Sequence, residues 1–122
     1  MSQEIRPEAD FQAHLAEGRF MILRARGSGR CFWPPRVAEP RTGDTDLEWV
    51  EASGEGVVYS TTVMRPRPPA AAYNVALIDL AEGARMMSRV EGPAPEEVAI
   101  GMKVRARIAA GEDGPLVVFD PA

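Results

Sequence analysis

The apolar positions of this chain fall into one short helical pattern followed by a series of strand-like runs. Pro7, Glu8 and Asp10 supply the proline and acids of a first helical turn. Phe11, His14 and Leu15 then share a face, and Gly18 is the stop. Arg19 to Arg24 (RFMILR) reads as a short apolar strand, and Leu47 to Val50 opens a longer β region. Gly56 to Met64 is rich in β-branched and aromatic residues, and strict alternation would put Val57, Tyr59, Thr61 and Val63 on one face. A loop dense in proline and arginine, Arg65-Pro66-Arg67-Pro68-Pro69, breaks the run. Strands are expected again over Tyr73 to Leu80, Arg85 to Val90, Lys103 to Ala109 and Leu116 to Phe119, with one helical turn at Pro95-Glu96-Glu97. Five strands of uneven length, with a helical turn before the penultimate one, predict a small closed barrel of the OB type. Closure also disposes of the exposed edges that so short a β segment would otherwise carry.

Length and composition narrow the picture. A chain of 122 residues suits one compact domain, or a short module leaning on a slightly larger one. No apolar run approaches the ~20 residues that span a bilayer, so a soluble protein without a membrane partner is expected. The first residues, Met-Ser-Gln-Glu-Ile-Arg, have neither a basic nor an apolar leader region, and the single cysteine excludes an internal disulfide; both point to the cytoplasm. The net charge of −4 argues against nucleic acid, whose binding draws on counterion release by several basic side chains. Almost all the basic residues are arginine, the usual outcome of a GC-rich coding bias, although arginine also favours forked recognition of phosphate or carboxylate.

Candidate chemistry is sparse. His14 is the sole histidine and has no Ser or Cys close in sequence with which to form a nucleophile pair, so a structural or interfacial role is expected of it. Asp44, Asp46, Glu48 and Glu51 lack the glycine-centred spacing of an EF-hand loop and read as a solvated acidic rim. Neither a Ser-His-Asp arrangement, a glycine-rich phosphate loop nor a His/Cys cluster is present, and the chain is expected not to be an enzyme.

The most informative stretch is Leu23 to Gly43 (LRARGSGRCFWPPRVAEPRTG). Its outline is that of a zinc ribbon, with a knuckle around Gly27-Ser28-Gly29, the aromatic pair Phe32-Trp33, a Pro34-Pro35-Arg36 hinge and a second knuckle ending at Gly43. A tetrahedral zinc at about 2.3 Å from each thiolate requires four Cys or His ligands, and this stretch offers only Cys31.

Helix, ribbon and barrel in this order resemble the zinc-ribbon and OB-fold family associated with acyl-CoA and thiolase-type enzymes (domain of unknown function thirty-five). Gly29, Phe32-Trp33, Pro34-Pro35-Arg36, Pro40 and Gly43 match the ribbon pattern, as do Leu47-Glu48-Trp49, Gly54 and Gly56 leading into Tyr59-Ser60-Thr61-Thr62-Val63, Tyr73-Asn74-Val75-Ala76-Leu77 and Ile100-Gly101-Met102-Lys103-Val104 further on. The four ligand positions of the family fall here on Ala25, Ser28, Glu39 and Thr42, none of them cysteine. The resemblance implies a mainly β protein. It would have an N-terminal helix (1–18), a degenerate, metal-free rubredoxin-like ribbon arm (19–46) and a five-stranded OB barrel (47–122).

It also implies a non-catalytic accessory subunit of a thiolase, thiolase-like aldolase or enoyl-CoA hydratase complex, with no cofactor of its own, possible contact with acyl-CoA, and self-association as an option in isolation. Arg36, Arg65 and Arg67 are the candidate contacts to CoA phosphates or to acids on a partner, because a guanidinium fork suits both. Phe32, Trp33, Pro34 and Pro35 are the candidate docking surface. Without zinc, packing of Phe32 and Trp33 on the barrel or on a partner, together with proline stiffness, has to order the arm, aided by pairing of Arg24, Arg26 or Arg30 with Glu39. Cys31 is then a small buried hydrophobe. A single-stranded nucleic-acid-binding barrel is the alternative, with Arg85, Arg89, Lys103, Arg105 and Arg107 as a basic face and Tyr59 or Tyr73 as stacking platforms.

Overall fold

The computed structural model describes residues 6–112 and 114–122. Helix α1 (Pro7–Ala16) begins with Pro7 in its first turn, and the backbone N–H of Arg6 donates to the Asp10 carboxylate at 3.2 Å. It ends at Gly18, which takes the left-handed conformation. Phe11 and Leu15 are its buried residues, one helical turn apart.

Strand β1 (Met21–Ala25) is the centre of a three-stranded antiparallel sheet, flanked by the short β2 (Cys31–Phe32) and by β3 (Leu47–Glu51). Met21 to Leu23 and Ala25 are buried, because β1 is covered on both sides. Phe20 and Ile22 join Phe11 and Leu15 in the main core, while Leu23 and Ala25 form a second, small core with Phe32 and Leu47. That is why its sequence is a continuous apolar run without alternation. Strand β3 hydrogen-bonds to β1 along its whole length, so residues 47–51 extend the sheet of the arm.

The second sheet has the order β6-β5-β4-β7-β8, from β4 (Glu55–Met64), β5 (Tyr73–Leu80), β6 (Arg85–Ser88), β7 (Lys103–Gly111) and β8 (Gly114–Pro121), all neighbours antiparallel. Its ends meet through the segment after β6. Val90 forms a parallel bridge with Phe119, the Glu91 N–H donates to the Phe119 carbonyl (2.7 Å), and the Phe119 N–H donates to the Arg89 carbonyl (3.0 Å). A 3-10 turn at Pro95–Glu97 lies between β6 and β7. This is the curled five-stranded sheet expected of an OB fold.

Two departures from strict patterning have physical causes. A bulge between Val58 and Ser60 shifts the register of β4. Val57 and Tyr59 therefore point to solvent, whereas beyond the bulge Thr61 and Val63 are half-buried and Thr62 and Met64 are exposed. The four residues expected on one face are split between two, because one extra residue inverts the parity of a strand. Strand β6 stops at Ser88 rather than Val90, since Val90 turns away to β8 and takes its polar partners from a side chain. The Asn74 amide donates to the Val90 carbonyl (2.7 Å) and its oxygen accepts from the Val90 N–H (2.9 Å). Asn74 is fully buried and acts there as a substitute for a neighbouring strand.

Asn74→Ala should destabilise the fold by about 2–4 kcal/mol, because two buried backbone groups of Val90 lose their partners. Urea denaturation followed by circular dichroism measures this. A loss below about 1 kcal/mol would show that closure does not depend on this amide.

Candidate functional site

The two knuckles of the arm are built alike. In the first, the Ala25 N–H donates to the Arg30 carbonyl (2.9 Å) and the Gly29 N–H to the Ala25 carbonyl (2.8 Å). In the second, the Glu39 N–H donates to the Asp44 carbonyl (2.8 Å) and the Gly43 N–H to the Glu39 carbonyl (2.9 Å). Gly29 and Gly43 occupy the same place in each turn with φ of 74° and 72°, a conformation that side chains with a Cβ rarely adopt.

This repetition brings the ligand-equivalent positions together. The Ser28 hydroxyl donates to Glu39 Oε2 at 2.7 Å and the Thr42 hydroxyl to Glu39 Oε1 at 2.6 Å. The hydroxyl oxygens in turn accept from the N–H groups of Arg30 and Asp44. Glu39 is only 3% exposed, and Ala25 is fully buried. Hydrogen bonds from Thr42 and then Ser28 hold the Glu39 carboxyl below its ordinary value of 4.5. These four residues do not fit a zinc ion: Ala25 has no donor atom, and the one carboxylate has both oxygens committed to hydroxyls. A hydrogen-bonded bridge between the knuckles stands at those positions.

Of the arginines expected to face Glu39, Arg30 does lie close enough for its charge to help lower the carboxyl, while the other two are engaged elsewhere. Arg24 pairs with Glu48 (3.0 Å), Arg26 with Asp46 (2.8 Å) and Arg19 with Glu51 (3.8 Å), so the acidic rim is largely the ion-paired edge of the β1–β3 ladder. Each such exposed pair contributes under about 1 kcal/mol. Phe32, at 7% exposure, is spent on the arm's own core and presents no docking surface. Trp33 packs edge-on against Phe11 with centroids 4.7 Å apart, and His14 packs against Trp49 at 5.1 Å. Helix α1 thus clasps the arm through two aromatic pairs, which gives His14 a packing role. Cys31 is half-buried, and its thiol is pushed up by burial and then by the Glu82 charge, which keeps it protonated.

The candidate arginines are not brought to one cavity. Arg36 lines a shallow groove of about 820 Å³ between the start of α1 and the hinge, together with Arg6, Pro7 and Val37. Arg65 pairs with Glu96 at 3.2 Å across the barrel end, and Arg67 is exposed with no ion pair among the described residues. The basic strand face is mostly neutralised. Arg85 is held by Asp79 (2.6 Å) and stacks on the Tyr59 ring at 3.5 Å, Arg89 pairs with Glu91 (2.8 Å), and Arg107 takes both Asp120 (2.8 Å) and Glu91 (2.7 Å). Asp120 and then Glu91 push the Arg107 guanidinium above its ordinary value, and Asp120 is correspondingly lowered. Among the described residues, no group of three or more His, Cys, Asp and Glu side chains is placed to hold a metal ion.

The bridge has a definite pH dependence. With its folded-state value below 4.5, Glu39 contributes stability that is fully present above pH 4.5 and lost as pH falls through the lowered value. The amide resonances of Gly29 and Gly43 should therefore shift together in a transition below pH 4.5. Glu39→Gln should lack that transition; knuckle resonances that titrate identically in both proteins would contradict the bridge.

Comparison with known proteins places the chain. Residues 49–109 match the family described as the C-terminal OB-fold domain of ChsH2. A DUF35 domain-containing scaffold protein of Methanocaldococcus jannaschii is 35% identical over 111 residues, covering 83% of this chain and 79% of that protein. A probable enoyl-CoA hydratase alpha subunit of Thermomonospora curvata is 37% identical over 85% of this chain, and a 3-oxo-4,17-pregnadiene-20-carboxyl-CoA hydratase alpha subunit of Mycobacterium tuberculosis is 35% identical over 81%. The chain spans only 34% and 33% of the length of those two hydratase subunits. Among solved structures, a chain of the Ltp2–ChsH2(DUF35) aldolase superposes with a TM-score of 0.81 at 32% identity, covering 99% of this chain and 98% of that one. The fold is thus that of a known group, and the chain belongs to the DUF35 family of ChsH2-type OB-fold proteins.

Proposed function

We propose that this protein is a non-catalytic accessory subunit that completes or stabilises a thiolase, thiolase-like aldolase or enoyl-CoA hydratase complex in the cytoplasm. The observation that carries this reading is the end-to-end superposition on a chain of the Ltp2–ChsH2(DUF35) aldolase, supported by relatives that are scaffold proteins or hydratase subunits. The chain's own chemistry agrees. Its single histidine packs on an indole ring, its thiol is held protonated, and its most buried carboxylate is committed to a bridge. They are not assembled into a nucleophile–base pair.

Arg36 and Arg67 are the exposed guanidinium groups offered to CoA phosphates or to carboxylates of a partner, while Arg65 is oriented by Glu96. The nucleic-acid reading loses its basic face, because Arg85, Arg89 and Arg107 are all paired with acids. No helix among the described residues is long and apolar enough to cross a membrane.

Co-expression with a thiolase-, aldolase- or hydratase-type subunit from the same genome should yield a complex that survives gel filtration. The isolated chain should leave acyl-CoA esters unchanged. Absence of any such complex across the three partner classes would overturn the reading, as would turnover by the chain alone.

A further inference from the structure

Large apolar side chains that remain exposed are not scattered over this molecule. Among the described residues seven are exposed, and five of them, Val57, Tyr59, Met64, Tyr73 and Met87, lie on β4, β5 and β6. The strand registers put them on one side of the sheet. Met64 is opposite Tyr73, Val57 is opposite Asp79, and Leu77 on the same side of β5 is opposite Met87. The other side of these strands carries Val58, Ala76, Ile78 and Met86, all buried in the core. The bulge at Tyr59 is what keeps both halves of β4 contributing, since Val57 and Tyr59 point outward before it and Met64 after it. Arg85 does not interrupt the patch: it lies flat on Tyr59 and has its charge balanced by Asp79. Half-buried Val75 and Leu77 link these side chains along β5, with Ser60 and Thr62 between them on β4, and such a clustering of exposed large apolar residues marks a binding surface rather than an ordinary protein exterior.

The charges at its borders specify the occupant. Lys103 and Arg105 stand on the adjoining strand, with Lys103 directly opposite Val57, and neither has an ion pair among the described residues. At the far end, Arg67 projects from the proline-rich loop joining β4 to β5, also without one. Arg65, Arg85, Arg89 and Arg107 of the same sheet and its loops are each paired with an acid. An apolar centre with unpaired cations at both ends calls for a surface with an apolar centre and carboxylates at both ends.

We propose that the outer face of β4–β6 is the surface on which the partner enzyme subunit docks, Tyr59 and Met87 entering its apolar centre while Lys103, Arg105 and Arg67 meet its carboxylates. This rests on the accessory-subunit reading and names where the contact is made. It places the interface on the barrel and leaves the aromatic residues of the arm to internal packing.

The test uses the complex with the co-expressed thiolase-, aldolase- or hydratase-type subunit. Tyr59→Asp and Met87→Asp should each weaken the dissociation constant at least about tenfold by calorimetry, as buried interface anchors do. Lys103→Glu combined with Arg105→Glu should flatten its salt dependence. Ala13→Glu, on the exposed side of α1, should bind like the unaltered chain, and circular dichroism and thermal melting verify that each variant folds. Met64 and Met87 in the unaltered chain should be protected from hydroxyl-radical oxidation on complex formation, a reading that needs no variant. Unchanged affinity in both aspartate variants, with both methionines still oxidised, would overturn this interface while leaving the accessory role intact. Failure of the unaltered chain to bind any of the three partner classes would overturn both. Sedimentation equilibrium of the chain alone adds one more outcome: a self-dimer abolished by Tyr59→Asp would assign the face to a second copy and overturn the enzyme partner.

Discussion

Closure of the barrel at Val90 sets the orientation of everything else in the larger sheet. Once Val90 bridges to Phe119 and is clamped by the Asn74 amide, the curvature of the sheet has one sense, and alternate residues of β4, β5 and β6 are committed to the core. Their neighbours are then committed to solvent, including aromatic and thioether side chains that would be better covered. The clamp is a polar interaction in an apolar place, tolerable only because both amide atoms and both backbone groups are satisfied. Outside the barrel, the Arg107 network with Asp120 and Glu91 spans the same seam.

The arm obeys a different constraint. Its strand β1 must satisfy two apolar environments at once, the main core through Phe20 and Ile22 and a small separate core through Leu23 and Ala25. This makes the arm an integral layer of the molecule. The first knuckle reaches the small core through Ala25, the second places no residue in either core, and the Glu39 bridge joins the two. A carboxylate receiving two hydroxyl hydrogen bonds satisfies both turns at the positions that the family resemblance assigns to metal ligands. It couples the arm to acid in place of metal supply.

The division of labour that results is consistent with a docking protein. Aromatic residues of the arm and helix are used internally, in the Phe11–Trp33 and His14–Trp49 pairs. Most basic residues of the barrel are used internally as well. What the fold leaves unused is one apolar sheet face and a few unpaired cations at its borders, the features that a protein partner reads.

Much of this was legible in the residues. The helix from Pro7, the extent of β5, the turn at Pro95–Glu97 and the two knuckles follow from local signals, namely a proline with acids, β-branched runs between glycines, and glycines in left-handed turns. The absence of a zinc ligand set needs only a reading of positions 25, 28, 39 and 42. Tertiary structure alone decided the rest. The bulge at Tyr59 carries no sequence mark of its own, yet it determines which residues of β4 are exposed. Tyr73-Asn74-Val75-Ala76-Leu77 is apolar on both of its faces, so the pattern cannot say which face is core, and it hides in Asn74 the polar clamp of the barrel. The pairing of each arginine was equally invisible, because partners such as Arg24 and Glu48 or Arg107 and Glu91 lie far apart in the chain and meet only through strand register. Local sequence specifies which elements form; which side of them faces the core, and which charges cancel, depends on contacts between segments that the chain order does not encode.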